Sequence, residues 1–145
     1  MISTDNLMQR LFKTASIKNF IKRYSGEMVR IPFHAYVKKL CAERGTVPER
    51  IIKKSGIDRT YGHQIFNGRK NPSRDKVLQL AFGFGLNIDE TQKLLSAARK
   101  SSLYPKIKRD AVVIFAISKG YSLEAVQATL EEMGLPALGL NLGNE

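Results

Sequence analysis

Residues 47–68, "VPERIIKKSGIDRTYGHQIFNG", read as a helix, a tight turn and a second helix. Pro48 and Glu49 suit a first helical turn, where a missing N–H costs least and a negative charge meets the positive end of the helix dipole. Thr46, just before them, is a good N-cap. Gly56 stops the first helix, and Asp58 caps the second, which runs through Asn67 to Gly68. One residue is out of place. Glycine in a helix interior costs about 1 kcal/mol relative to alanine, yet Ile65 and Phe66 carry the apolar stripe on beyond Gly62.

Working outward, the spacing predicts a helix over Phe33–Arg44 with Phe33, Tyr36, Val37, Leu40 and Cys41 on its apolar face, ended by Gly45. Ser73 caps another, with Val77, Leu78, Ala81 and Phe82 turned inward. Before Gly26–Pro32, which breaks the pattern, two short amphipathic segments form a helical arm. Leu7, Met8, Leu11, Phe12 and Ala15 line the first, and Ile17, Phe20, Ile21 and Tyr24 the second. Beyond Leu103, Tyr104 and Pro105, the stretch Lys108–Lys119 is apolar almost all round through "AVVIFAI", a helix expected to be covered. Ser122 caps a last helix with Leu123, Val126, Leu130 and Met133 as its stripe, Tyr121 and Val126 placed as a staple, and Gly134 at its end. No segment reads as a strand. The expected organisation is an arm over 1–30, a central domain over 31–101, a helix pair over 102–136, and a loosely held tail, 137–145. The pair either completes the core or forms a two-fold interface, and both can hold at once.

Charge narrows the function. The 145 residues carry 24 Lys and Arg against 13 Asp and Glu, a net +11 that favours a polyanionic partner. The excess is uneven. Residues 1–45 hold 9 basic and 3 acidic groups, residues 46–100 hold 11 and 5, and residues 101–145 hold 4 and 5. That split suggests a basic front for nucleic acid and a near-neutral scaffold or assembly surface. Cys41, the single cysteine, lies on an apolar stripe and reads as core; it excludes an internal disulfide and fits a reducing cytoplasm. The first residues, "MISTDNLMQR", lack the apolar core of a secretory leader, and the longest apolar run, Ala111–Ile117, falls far short of the ~20 residues that span a bilayer. A cytoplasmic location is expected.

Over roughly Phe33–Leu95 the sequence resembles the Cro and phage-repressor (XRE-type) helix-turn-helix regulators. The resemblance rests on "IIKKSGI" with Gly56 at the turn, "IFNGRKNPS" after the second helix, and "LQLAFGFGLNIDETQKLL", similar to a fourth helix, its hydrophobic turn and the start of a fifth. It implies an all-α, compact lambda-repressor-like helix-turn-helix domain, here with an N-terminal helical arm and an additional C-terminal helix pair. Two positions depart from the family pattern: Ile52 replaces a small residue and Gly62 a branched apolar one. The departures read as coupled, because a large residue on one side of a helix crossing needs a small one opposite. Burial of Ile52, worth roughly 1.5–3 kcal/mol, would offset the glycine.

The resemblance makes Arg59–Asn67 a recognition helix whose first residues enter the major groove of double-stranded DNA. With Ile65 and Phe66 inward, the base-reading candidates are Arg59, Thr60, His63 and Gln64, Arg59 suited to guanine and Gln64 to adenine. Phosphate contacts are expected from Thr46, Asn67, Arg69, Lys70 and Arg74, with backbone N–H groups of the loop assisting. Asp75 beside them argues for some internal pairing. Tyr61 fits either the core or a phosphate. His63 has no second histidine or cysteine at ligand spacing, so no metal or other cofactor is expected. No phosphate-binding glycine loop, dinucleotide fingerprint, nucleophile elbow or HExxH pair is present, and the reading is of a binder, not an enzyme. The expected activity is sequence-specific transcriptional regulation by a homodimer. The alternative is an adaptor or antitoxin-like protein acting on a protein partner through the arm or the C-terminal helices. RNA binding ranks last, for want of a stacking platform.

Overall fold

The computed structural model describes residues 2–27 and 31–139, and among these it contains helices and no strand. The chain divides into two units, Met1–Arg30 and Ile31–Glu145. The helix pair expected over 102–136 therefore belongs to the same unit as residues 31–101.

In the first unit, α1 (Thr4–Lys13) is capped by Ser3 and α2 (Ile17–Arg23) by Ser16. Phe20 is buried against Tyr24, whose hydroxyl accepts a hydrogen bond from Arg10 at 2.9 Å. Met8, Leu11, Phe12, Ile17 and Ile21 stay exposed.

The second unit opens with α3 (Phe33–Glu43), which buries Val37 and Cys41. Next come α4 (Pro48–Lys54) and α5 (Arg59–Phe66), joined through Gly56 at φ +65°. Asp58 caps α5 as expected, accepting from the Tyr61 N–H. Thr46 does not cap α4. The N-cap is Val47, whose apolar side chain has no acceptor to offer, because the helix starts at Pro48, one residue later than the hydroxyl pattern implies. The Gly62 anomaly resolves as packing. A Cβ built on Gly62 would stand 2.8 Å from Ile52 Cγ1 and closer still to Cγ2, and Ile52 is buried.

Two helical hairpins follow, α6 (Arg74–Phe84) with α7 (Ile88–Ala97), and α8 (Lys108–Ser118) with α9 (Leu123–Glu132). They are built alike, each position of the first recurring 35 residues later in the second. Identical residues stand at Arg74 and Arg109, Asp75 and Asp110, Val77 and Val112, Ala81 and Ala116, Gly85 and Gly120, Gln92 and Gln127, Leu95 and Leu130, and Leu103 and Leu138. The backbone follows suit. Gly85 and Gly120 turn the hairpins at φ +70° and +72°, and Arg99 and Gly134 end them at φ +59° and +69°. Gln92 donates to the Leu103 carbonyl at 3.1 Å and accepts from its N–H at 2.8 Å; Gln127 does the same to Leu138 at 2.9 and 2.7 Å.

Paired arginine–aspartate clamps join the hairpins. Arg74 holds both oxygens of Asp110 at 3.0 and 2.9 Å, and Arg109 both oxygens of Asp75 at 2.9 and 2.8 Å. Each guanidinium also donates to two carbonyls, Arg74 to Ser101 and Ser102, Arg109 to Pro136 and Ala137. The Tyr104 N–H closes on Asp110 and the Gly139 N–H on Asp75, both at 3.0 Å. The relation is reciprocal, as an approximate two-fold axis between hairpins would make it. Leu94, Leu95, Val113, Ala116, Val126 and Leu130 fill the space between with no exposed surface.

Two expectations change here. Residues 137–139 are not a loose tail: Ala137 and Gly139 are bonded into the clamp and Leu138 is buried, while residues 140–145 lie outside the described residues. Nor is α8 covered all round, since Phe115 is 49% exposed and Ile107, just before the helix, 53%. No helix among the described residues is long and apolar enough to cross a membrane.

Candidate nucleic-acid interface

The face of α5 follows from what the core demands of it. Gly62, Ile65 and Phe66 are buried, so the opposite side of the helix turns outward: Arg59 and Thr60 are exposed, and His63 and Gln64 partly so. Tyr61 is half-buried against the core, with the Lys76 ammonium 5.9 Å from its ring centre. The four residues predicted to read bases thus share the outer side of one short helix.

That side is not a row of free cations. Glu49, in the first turn of α4, accepts from Arg59 Nε at 2.6 Å through one carboxylate oxygen and meets His63 Nε2 with the other. Hydrogen bonds from Arg59 and then His63 hold the Glu49 carboxyl below its ordinary range, and the same bond raises Arg59. Arg59 remains 78% exposed. That bond uses Nε, and the two terminal nitrogens form the end of the guanidinium fork that matches two acceptors on a guanine edge. Glu49 was read from sequence only as a helix-start charge. Its spacing of ten and fourteen residues from its partners carries no local signal; the turn at Gly56 creates the contact.

After α5, Gly68 adopts φ +84°, and a Cβ there would stand 2.7 Å from His34 Nδ1, so the loop closes tightly onto α3. Asn67, Arg69 and Lys70 are exposed on this loop. Contrary to the expectation above, the backbone N–H groups of Arg69 and Lys70 are not open to phosphate, because Arg69 N–H donates to the Gln64 carbonyl and Asn67 Oδ1, and Lys70 N–H to the Gln64 carbonyl. The side chains of Arg69 and Lys70 carry what the loop offers an anion.

Two predicted phosphate contacts do not survive. Arg74 is committed to Asp110 and the carbonyls of Ser101 and Ser102, so its charge is spent inside the fold. Thr46 has its hydroxyl oxygen enclosed and, among the described residues, unpartnered. It lies beside a cleft of about 250 Å³ lined by Arg44, Arg50 and Lys54. Arg44 is held by Glu90 at 2.7 Å, which leaves Arg50 and Lys54 as exposed cations of α4 that the sequence reading passed over.

Compared with protein-family models, curated proteins and solved structures, the chain matches none.

Proposed function

We propose that this chain is a sequence-specific double-stranded DNA-binding transcriptional regulator of the Cro and phage-repressor type, with a lambda-repressor-like central domain, reading the major groove with α5 and acting as a homodimer. The observation that carries the reading is the division of α5. One side is buried and anchored by the Gly62–Ile52 fit, while the other presents Arg59, Thr60, His63 and Gln64 beside the exposed cations Arg69 and Lys70. A short helix held rigidly by its back and carrying amide and guanidinium donors on its front suits direct readout of base edges, with flanking cations positioning it on phosphate.

Glu49 supports specific over general binding. A carboxylate at the reading surface repels phosphate, so it lowers affinity for any duplex while orienting Arg59 toward a chosen base. Selection from random duplexes tests the whole reading. One short sequence should emerge, and affinity should fall steeply with salt. Arg59→Ala or Gln64→Ala should each cost about 1–3 kcal/mol at one base position and relax selection there. Glu49→Gln should raise affinity for unselected duplex and narrow the ratio between selected and unselected sequence. Equal affinity for all duplexes, unmoved by Arg59→Ala, would refute the reading.

A second reading, an adaptor that binds a protein partner, draws on the apolar residues Met8, Phe12, Ile17 and Ile21 left exposed on α1 and α2. Protein binding insensitive to Arg59→Ala but abolished by Phe12→Glu would favour it.

A further inference from the structure

The arm of α1 and α2 gathers positive charge that nothing within it answers. Arg10 and Lys13 of α1 and Asn19 and Arg23 of α2 line, with Phe20 and Tyr24, a cleft of about 420 Å³. No carboxylate stands in that lining, and every ion pair among the described residues lies in the other unit. The cations are drawn together. The guanidinium carbons of Arg10 and Arg23 stand 5.7 and 5.6 Å from the centre of one ring, that of Tyr24. Like charges gathered around one ring repel, and their attraction to it offsets only part of that cost. Donors are also left open. Arg10 spends one of its five N–H donors on the Tyr24 hydroxyl, at 2.9 Å, and the hydroxyl, by accepting, keeps its own proton for another acceptor. The arm has little else to hold it. Among the described residues of Met1–Arg30 only Phe20 is buried, no cysteine is present, and no cluster of metal ligands forms. Chains below about 40 residues usually hold a fold through a disulfide, a metal or a partner.

We infer that this cleft is a binding site for a small anion that carries a pair of phosphate groups, as pyrophosphate does. Charge sets the class. One phosphate brings about −1.5 to −2 at pH 7 and a carboxylate only a single charge, so a pair of phosphates is what three cations call for. Guanidinium forks match phosphate oxygens two at a time, and Arg10 and Arg23 come from different helices, so the anion ties α1 to α2. The Tyr24 hydroxyl and the Asn19 amide add uncharged donors. The volume falls within the roughly 300–1,000 Å³ of small-molecule sites. A free phosphorylated molecule and a lipid headgroup both offer this chemistry. The lipid source calls for its own test, because Ile17 and Ile21 lie exposed beside Lys18 and Lys22. The site belongs to the arm and does not rest on the reading of α5.

Calorimetric titration of the full chain with inorganic pyrophosphate, without DNA and in about 150 mM KCl, tests the site. Binding should be one to one with a Kd below about 100 μM, and orthophosphate should bind about tenfold more weakly. Arg10→Gln and Arg23→Gln should each weaken binding about tenfold and Tyr24→Phe less, whereas Lys106→Gln, a cation outside the arm, should change nothing. Arg10→Gln also removes the bond to Tyr24, so Lys13→Gln, at an exposed position of α1, gives a charge loss that leaves that bond in place and should still weaken binding. Hydrogen exchange adds an independent readout. Pyrophosphate should slow exchange at the amides of α1 and α2 and leave those of α8 unmoved. Sedimentation with phosphatidylcholine vesicles separates the sources. A lipid source predicts capture by vesicles containing cardiolipin, whose headgroup pairs two phosphates, and not by vesicles of equal charge containing phosphatidylglycerol; a free ligand predicts capture by neither. Failure to bind both pyrophosphate and cardiolipin overturns the inference. So does binding that Arg23→Gln leaves intact or that Lys106→Gln weakens as much. A duplex whose affinity falls in Arg23→Gln, with pyrophosphate unbound, would assign the cleft to a nucleic-acid backbone and overturn it too.

Discussion

The hairpins α6–α7 and α8–α9 share a frame but not a setting. Both turn on a glycine with positive φ, both close with a glutamine bracketing a leucine, and each lends its aspartate to the other's arginine. They differ in what their outer helices meet. The first carries Gln79, Leu80, Gly83 and Phe84 under α4 and α5, all buried, whereas the second carries Ile114, Phe115, Ser118 and Lys119 at the same places, none of them buried. The lesson is that frame and coverage are separate traits of one fold. Residues that make the hairpin are kept across 35 positions, and residues that face outward follow whatever lies there.

The largest effect should come from breaking the shared frame. Asp110 is 3% exposed and Asp75 7%, and removing either leaves a guanidinium without its bidentate partner. Asp110→Ala and Asp75→Ala should each destabilise by about 3–5 kcal/mol in denaturant titrations, with similar values because the clamps are reciprocal. A large loss at one and a small loss at the other would break the equivalence. Acid should act on the same clamp. Burial pushes the Asp75 carboxyl up, but the hydrogen bonds from Arg109 and the Gly139 N–H outweigh it and leave the group below its ordinary value. A carboxyl lowered by folding adds stability above its unfolded pKa of about 3.9 and gives it up as pH falls through the folded value. Stability should thus decline below about pH 4, and less steeply in Asp75→Asn.

The difference in coverage can be tested by exchanging one residue between hairpins. Gly83→Ser gives the first hairpin the residue of the second, and its Cβ would press on Ser55 and the Ile51 carbonyl, costing about 2–3 kcal/mol by forcing α4 and α6 apart. Ser118→Gly makes the opposite change on the open face and should cost under about 1 kcal/mol, from the propensity difference and one exposed hydroxyl bond to the Phe115 carbonyl. Thermal melts of the two variants measure the contrast directly. Equal losses would mean that α8 is as constrained at Ser118 as α6 is at Gly83.

The covering helices have a size match of their own. Gly62→Val should cost about 1–3 kcal/mol through its clash with Ile52, and Ile52→Ala in the same chain should recover part of that loss. Additive losses in the double-mutant cycle would show that the two residues do not share a space.

Much of this was legible in local signals. Asp58, Ser73 and Ser122 cap the helices they were expected to cap, and the coupling of Ile52 with Gly62 could be inferred from their sizes alone. What escaped was non-local. The 35-residue repeat keeps identity only at clamp, turn, bracket and core positions, with unlike residues between, because two outer faces in different surroundings retain no common pattern. Arg74 looked like part of the basic loop, since its partner Asp110 lies 36 positions on. Of the candidate site, the outward face of α5 was readable from helical spacing, but Glu49 was not, because its partners reach it only after the chain has turned at Gly56.

The smallest predicted effect is also the most exacting test of equivalence. Gln92 and Gln127 each satisfy one N–H and one carbonyl of a leucine whose side chain is buried, Leu103 at 4% exposure and Leu138 at 3%. Replacing either glutamine with alanine strands both backbone groups in a partly buried site, and the cost should be about 1–2 kcal/mol, reduced where water can reach them. The two losses should agree within about 0.5 kcal/mol, and hydrogen exchange should rise at the Leu103 amide in one variant and the Leu138 amide in the other. A much larger loss at Gln92 would show that the first bracket also bears on α4 and α5, and that the frame is not independent of what covers it.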